Sequence, residues 1–144
     1  MDRRALVDFI NTTPWAVQAS VTLEHRPQAA VIGIVATERV ELVFDTMADT
    51  RKATNLRQNP RIAFVIGWDE GRTVQLEGIA DEPVGDELAR LKAVYLRRFP
   101  DGVARFERGG LTYFRVRPTW VRYSDFSTDD NTTSDLPRAV WSDD

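Results

Sequence analysis

The sequence predicts a mainly β (α+β) protein, a small antiparallel barrel of about six strands with short helices at its ends. Three observations carry this reading. Runs of strand length, apolar or alternating, recur from Trp15 to Tyr123; most connections between them are short; and there is neither βαβ alternation nor an internal repeat.

Taken in order, Arg3 to Asn11 suits a short helix, with Ala5, Leu6, Phe9 and Ile10 on one stripe. "WAVQASVTL" then alternates: Trp15, Val17, Ala19, Val21 and Leu23 share one face, and Gln18, Ser20 and Thr22 the other. After the turn "EHRPQ", "AAVIGIVA" reads as a second, more continuously apolar strand, and "VELVFDT" as a third. "RIAFVIGW" and "TVQLEGIA" form a hairpin around "DEGR", with Gly78 marking a bulge or a close backbone approach. "GDELARLKAVYLRRF" carries Leu88, Leu91, Tyr95 and Phe99 at helical spacing, a stripe that suits a dimer face or a cover for its own barrel. "VARFER" is a further helical turn, and "LTYFRVRPTWVRY" a last strand bent at Pro118. Residues 1–125 make the domain; 126–144 form a polar, acidic tail, loose or draped over a neighbouring surface with Trp141 as its anchor.

Composition narrows the function. The 144 residues are 42% apolar and 28% charged, as in one soluble domain with a real core. No apolar run reaches the roughly 20 residues that cross a bilayer, and "MDRRALVDFI" lacks the pattern of a signal peptide, so a cytoplasmic location without a membrane partner is expected. A net charge of −3 argues against nucleic acid as the main partner. With no cysteine and a single histidine there is no disulfide, no thiolate nucleophile and no Cys/His zinc site, and no metal is expected. His25 sits in a polar turn and reads as an exposed loop residue. Any difficult chemistry then falls to a bound cofactor.

"TMADTRKATNLRQNP", Thr46 to Pro60, begins a short helix with Asp49 or Thr50 as its cap and Asn59-Pro60 as its end. Arg51 and Lys52 then fall in the first turn, where the helix dipole disfavours cations by about 0.3–1 kcal/mol. A bound anion, a phosphate above all, reverses that sign; a solvated basic face with a screened penalty is the alternative. Asn55 is either a ligand contact or a structural hydrogen-bonding residue.

The order "VFDT", "TRKATNLRQNPRIAF", "VQLEGIAD" and "YFRVRPTWVRY" resembles the pyridoxamine 5'-phosphate oxidase-like FMN-binding split barrels, over roughly Trp15 to Asp125. The resemblance implies a six-stranded antiparallel split β-barrel forming a homodimer, with two flavins in clefts between subunits. It implies that Arg51 and Lys52, with Thr50, bind the FMN phosphate, and that Phe44, Asp45 and Thr46 lie against the ring and ribityl chain. The strand ending in Glu-Gly implies a further contact: the oxidases' glutamine position is Thr73 here, with Gln75 two residues on. Trp120 and Arg122 correspond to contacts from the partner subunit.

Two departures bear on activity. The oxidases carry an Arg and a Lys on the strand that reads "AAVIGIVA", and an Arg-x-His motif where this chain has "VRYSD". Pyridoxamine phosphate oxidation is therefore not expected. The expectation is an FMN-dependent oxidoreductase acting on a small substrate. The alternatives are an F420-dependent reductase on the same fold and a non-catalytic flavin- or nucleic-acid-binding barrel.

Overall fold

In the computed structural model, which describes residues 1–144, α1 (Arg3–Thr12) starts at Asp2, whose carboxylate accepts from the Ala5 amide, and turns Leu6 and Ile10 into the core. The sheet is built from β1 (Ala16–Val21), β2 (Pro27–Ile32), β3 (Val35–Ala36), β4 (Leu42–Met47), β5 (Arg61–Ile66), β6 (Arg72–Asp81), β7 (Leu111–Asp125) and β8 (Thr132–Asp135). Its order is β2-β1-β5-β6-β7-β4-β3, all antiparallel, with β8 paired to β7. The two ends of that path, β2 and β3, are consecutive in the chain and separated only by Gly33 and Ile34. A sheet whose two edges meet through two residues must curl on itself, and the result is a curled half-barrel. Phe44, Phe64 and Phe114 fill it, with Phe44 and Phe114 stacked at 5.5 Å between ring centres.

Eight strands stand where about six are expected, for two reasons. "AAVIGIVA" is not one strand: it leaves β1 at Ile32 and joins β4 from Val35. At the break, a Cβ on Gly33 would come within 2.9 Å of the Phe99 ring, so the aromatic side chain packs where only glycine leaves room. The eighth strand lies in the tail, which is draped rather than loose: β8 extends the sheet, and α5 (Arg138–Trp141) packs near α1. Leu136 and Val140 join Trp141 as anchors, and the Arg3 guanidinium donates to the carbonyls of Ala139, Val140 and Ser142.

β1 alternates as expected, and its polar side is the one that turns inward. Gln18 and Ser20 are buried (2% and 4% exposed), while Val17, Ala19 and Val21 lie on the outer surface. Register carries this outer face across the sheet in two rows, Val31–Val17–Val65 and Ala29–Ala19–Ala63. Trp15 and Trp68 stay 56% and 45% exposed.

The bulge at Gly78 is present. Thr119 is the extra residue, so that Glu77 faces Trp120 and Gly78 faces Pro118. The helix α3 (Gly85–Arg98) covers its own barrel, burying Leu91 and Tyr95 against Val35, Val43 and Tyr113. An ion network fastens it: Arg90 grips Glu41 through two hydrogen bonds of 2.9 Å, and Arg115, itself buried, reaches Asp81 at 2.7 Å and Glu87 at 2.6 Å. α4 (Gly102–Glu107) follows, closed by Gly109 and Gly110, both at positive φ.

Two outcomes test this description. A Cβ at Gly78 would sit 2.6 Å from Val116 Cγ1 and 2.7 Å from the Arg117 carbonyl oxygen. Gly78→Ala should therefore cost about 1–3 kcal/mol in a urea unfolding experiment, because backbone must move to accept it. Burial alone would raise the Glu41 pKa, but the hydrogen bonds and charge of Arg90, with Thr37 and Arg115, outweigh it and hold the group below its ordinary value. The ionised form thus stabilises the fold above the ordinary glutamate range, and that contribution is lost as pH falls through the lower folded value. Glu41→Gln should be destabilised at pH 7 by about 1.5–3 kcal/mol, and the gap to the parent protein should shrink steadily on acidification; a gap independent of pH would contradict the assignment.

Candidate functional site

Helix α2 (Arg51–Gln58) starts at Thr50, whose hydroxyl accepts from the Ala53 amide at 3.3 Å, so of the two candidate caps it is the one used. Thr46, at the end of β4, lies 3.0 Å away, hydroxyl to hydroxyl, and Lys52 donates from Nζ to the Thr46 hydroxyl at 3.3 Å. Two hydroxyls and an ammonium therefore meet at the start of the helix. Arg57, at the other end, fixes the segment in place: it pairs with Glu82 at 2.6 Å and donates to the Ala48 carbonyl at 2.7 Å.

Lys52 is half-buried, and burial with no charged partner holds its pKa below the ordinary lysine value. Arg51 beside it is exposed. The sequence thus places two cations where the dipole opposes them, and the fold leaves them without a carboxylate. The hydroxyls, the helix N–H groups and the two cations form a donor set suited to an anion of phosphate type.

The other expected residues are arranged in two further ways. Phe44 is fully buried against Phe114, so its side chain belongs to the core. Asp45 points to the opposite face of β4 from Thr46. It accepts from the Tyr95 hydroxyl at 2.8 Å and pairs with Arg105 at 3.0 Å, under α3 and α4. Burial, and after it the Asp45 charge, push the Tyr95 hydroxyl well above its ordinary value.

Gln75 and Trp120 lie on the outer face of the sheet, in register with Arg122 and Glu77 respectively. There they border a cavity of about 280 Å³ whose other walls include Val17, Ala19 and Val65. Thr73 is two residues before Gln75, its hydroxyl directed to the Ile66 carbonyl at 3.4 Å. Arg122 pairs with Asp135 of β8 at 2.6 Å and lies over the Trp120 ring at 5.0 Å. One chain therefore brings Thr46, Thr50, Arg51 and Lys52 together, but the outer-face cavity is lined by none of them.

Asn55 serves structure: buried, it donates to Ser20 at 3.2 Å and to Gln28 at 2.9 Å. Gln18, next to Ser20 on the inward face, is buried with its carbonyl oxygen unpartnered. Sequence reading missed this polar interior. Its only signal was the regularity of Gln18, Ser20 and Thr22, which alternation assigns to a face without saying which face is inside. His25, the one histidine, lies in the β1–β2 turn at φ 62, exposed.

The sequence has a match among known families. The model of the family described as pyridoxamine 5'-phosphate oxidase matches residues 3–125. The chain belongs to the pyridoxamine 5'-phosphate oxidase family. Solved structures share the fold at low identity. A heme binding protein from Mycobacterium smegmatis superposes with a TM-score of 0.79 at 20% identity, over 92% of this chain and 56% of that one. This member of the pyridoxamine 5'-phosphate oxidase family therefore spans little more than half the length of that neighbour. A conserved hypothetical protein from Mycobacterium tuberculosis gives 0.72 at 22% identity, over 87% and 85% of the two chains. A structure described as an F420 reductase gives 0.61 at 17%, over 79% and 93%. No curated protein matches the sequence. No helix is long and apolar enough to cross a membrane.

An unpaired, half-buried ammonium costs stability that a neutral side chain of similar length does not. Lys52→Met should therefore raise the melting temperature of the ligand-free protein, measured by calorimetry. A lower melting temperature would mean that the hydrogen bond from Lys52 to Thr46 outweighs the cost of burying the charge.

Proposed function

We propose that this protein binds FMN by its phosphate at the start of α2 and acts as a flavin-dependent oxidoreductase on a small substrate. The observation that carries the reading is Lys52, half-buried without a counter-charge, beside the Thr46 and Thr50 hydroxyls and Arg51. Membership of the pyridoxamine 5'-phosphate oxidase family supports the cofactor class. Bound flavin supplies reversible hydride and electron transfer. The chain's own part is to hold the phosphate with Arg51 and Lys52, to orient it with the Thr46 and Thr50 hydroxyls, and to keep the site's walls rigid through Arg57 and Glu82. Pyridoxamine 5'-phosphate is not the proposed substrate, because the chain has no counterpart of the Arg-x-His pair.

The cofactor site is proposed to be completed by a second copy. The rows Val31–Val17–Val65 and Ala29–Ala19–Ala63 face outward with no element of the chain over them, and exposed apolar sheet of this kind favours association. In a homodimer through this face, Thr73, Gln75, Trp120 and Arg122 border the interface rather than open solvent. The deazaflavin F420 is the second reading. It rests on the absence of basic side chains from β2, where Ala29 and Ala30 stand, and on the F420 reductase among the structural neighbours.

The intact protein should bind FMN with a spectral shift of the flavin, and Arg51→Ala with Lys52→Ala should weaken binding by about a hundredfold, two charge-assisted contacts at about 1.5 kcal/mol each, while circular dichroism stays unchanged. Sedimentation velocity on the same samples should give a dimer. Equal FMN affinity in the double variant would remove the phosphate assignment. A spectrum showing bound F420 or haem but not flavin would replace the cofactor, and a monomer that binds FMN fully would remove the partner's role.

A further inference from the structure

Away from α2, an open groove of about 1230 Å³ lies between α1, the β3–β4 turn and α3. Six arginines line it: Arg3, Arg4, Arg39, Arg90, Arg97 and Arg98, against two carboxylates, Asp8 and Glu38. The groove lies at the start of β4, where Ala36 pairs with Leu42, whereas Thr46 is near the strand's end. Four residues of strand set the two places about 13 Å apart, so the groove is a separate site.

Its charge is only partly cancelled within the fold. Arg90 is matched by Glu41 and Glu87. Arg98 is half-buried and donates only to neutral groups, the carbonyls of Ile10 and Ile34 at 3.0 and 2.9 Å and that of Thr13. Arg39 and Arg97 are exposed and enter no ion pair, and Arg4 reaches Asp8 only at 4.0 Å. In a protein of net charge −3, this is a strong local reversal of sign. Between the arginines the accessible apolar surface comes from Val7 of α1 and Val94 of α3, both half-buried, with Val35 and Ala36 of β3 buried beneath them.

We propose that this groove binds an extended acidic peptide from a partner protein, one in which carboxylate and apolar side chains alternate. Arginines at the rim meet the carboxylates, and Val7 and Val94 meet the apolar side chains on the peptide's other face. The volume exceeds the roughly 300–1,000 Å³ of pockets that enclose a small molecule. The protein already holds one acidic segment in this manner at the groove's edge: Arg3 binds the Asp143 carboxylate and three carbonyls of the chain around it. The apolar side chains set between the cations, Val7 and Val94, offer nothing to a sugar-phosphate backbone and favour a peptide over a nucleic acid.

The test uses a fluorescein-labelled peptide of alternating glutamate and leucine, titrated against the intact protein and followed by anisotropy. Binding should weaken as salt rises, and a glutamine-for-glutamate version of the peptide should not bind. Combined Arg4→Ala, Arg39→Ala and Arg97→Ala should lower peptide affinity by about tenfold or more. These three side chains hold no other element of the fold, so circular dichroism and FMN affinity should stay as in the parent protein. Absence of peptide binding, equal affinity in the triple variant, or equal binding of the glutamine peptide would each overturn the proposal. So would tighter binding of tripolyphosphate or single-stranded DNA through the same arginines, which would make the groove a phosphate site.

Discussion

One strand organises the molecule. β7 pairs along one edge with the whole of β6, and along the other first with β4 and then with β8. A straight strand could not serve both partners of that second edge on a curled sheet. The extra residue Thr119, opposite the closely approached backbone at Gly78, gives the required bend. Because β4 is fixed by β7, the turn after β4 is fixed too, and with it Thr46, Thr50 and the first turn of α2. Tyr113 on β7 likewise packs edge-on against Tyr95 and locates α3.

On this frame the chain carries cations that its own acids do not neutralise. Most arginines of the sheet and helices are matched: Arg57 by Glu82, Arg105 by Asp45, Arg115 by Asp81 and Glu87. Besides single exposed cations such as Arg61 and Arg138, two clusters depart from that rule, the start of α2 and the groove between α1 and α3. A folded protein keeps such local conflicts where something other than folding uses them. The two differ in kind. At α2 the charge is joined by hydroxyls and by a helix terminus, a compact donor set for one anionic group; in the groove it is spread along a longer wall with apolar stretches between.

What could be read from the sequence was what depends on neighbours in the chain. The cap at Asp49 or Thr50, the Asn59-Pro60 stop, the "DEG" hairpin tip and the glycine that marks a bulge or a close approach all follow from local backbone chemistry; they lie where expected, the cap at Thr50. The family could be read from the order of these same pieces. The phase of β1 could not, because alternation separates two faces without naming the inner one. The apolar face of that strand points outward, and the polar one meets Asn55 from α2. The stripe on α3 was equally indifferent between a partner and its own barrel until Val43 and Tyr113 were found beneath it. The partners of Arg98, Phe99 and the tail escaped for a common reason: Ile10, Gly33 and Arg3 are far away from them in sequence. For the site, the cationic helix start was visible, but the Asp45 side chain was assigned to it and in fact faces Arg105 on the other side of the strand.

The position of β7 also sets an order of events during folding. Its partners β4 and β6 precede it, β4 by more than sixty residues as the register Phe44↔Phe114 shows. The β1–β2 and β5–β6 hairpins are local and close quickly, on the microsecond scale typical of hairpins. β4 has no such neighbour; apart from two residues of β3 it must wait for a strand made late. During synthesis, the apolar run from Leu42 to Phe44 is therefore left without its main partner until most of the chain has emerged. A nascent chain stalled before Leu111 would hold two hairpins and an orphan strand, and the ribosome-bound protein is then most in need of a chaperone.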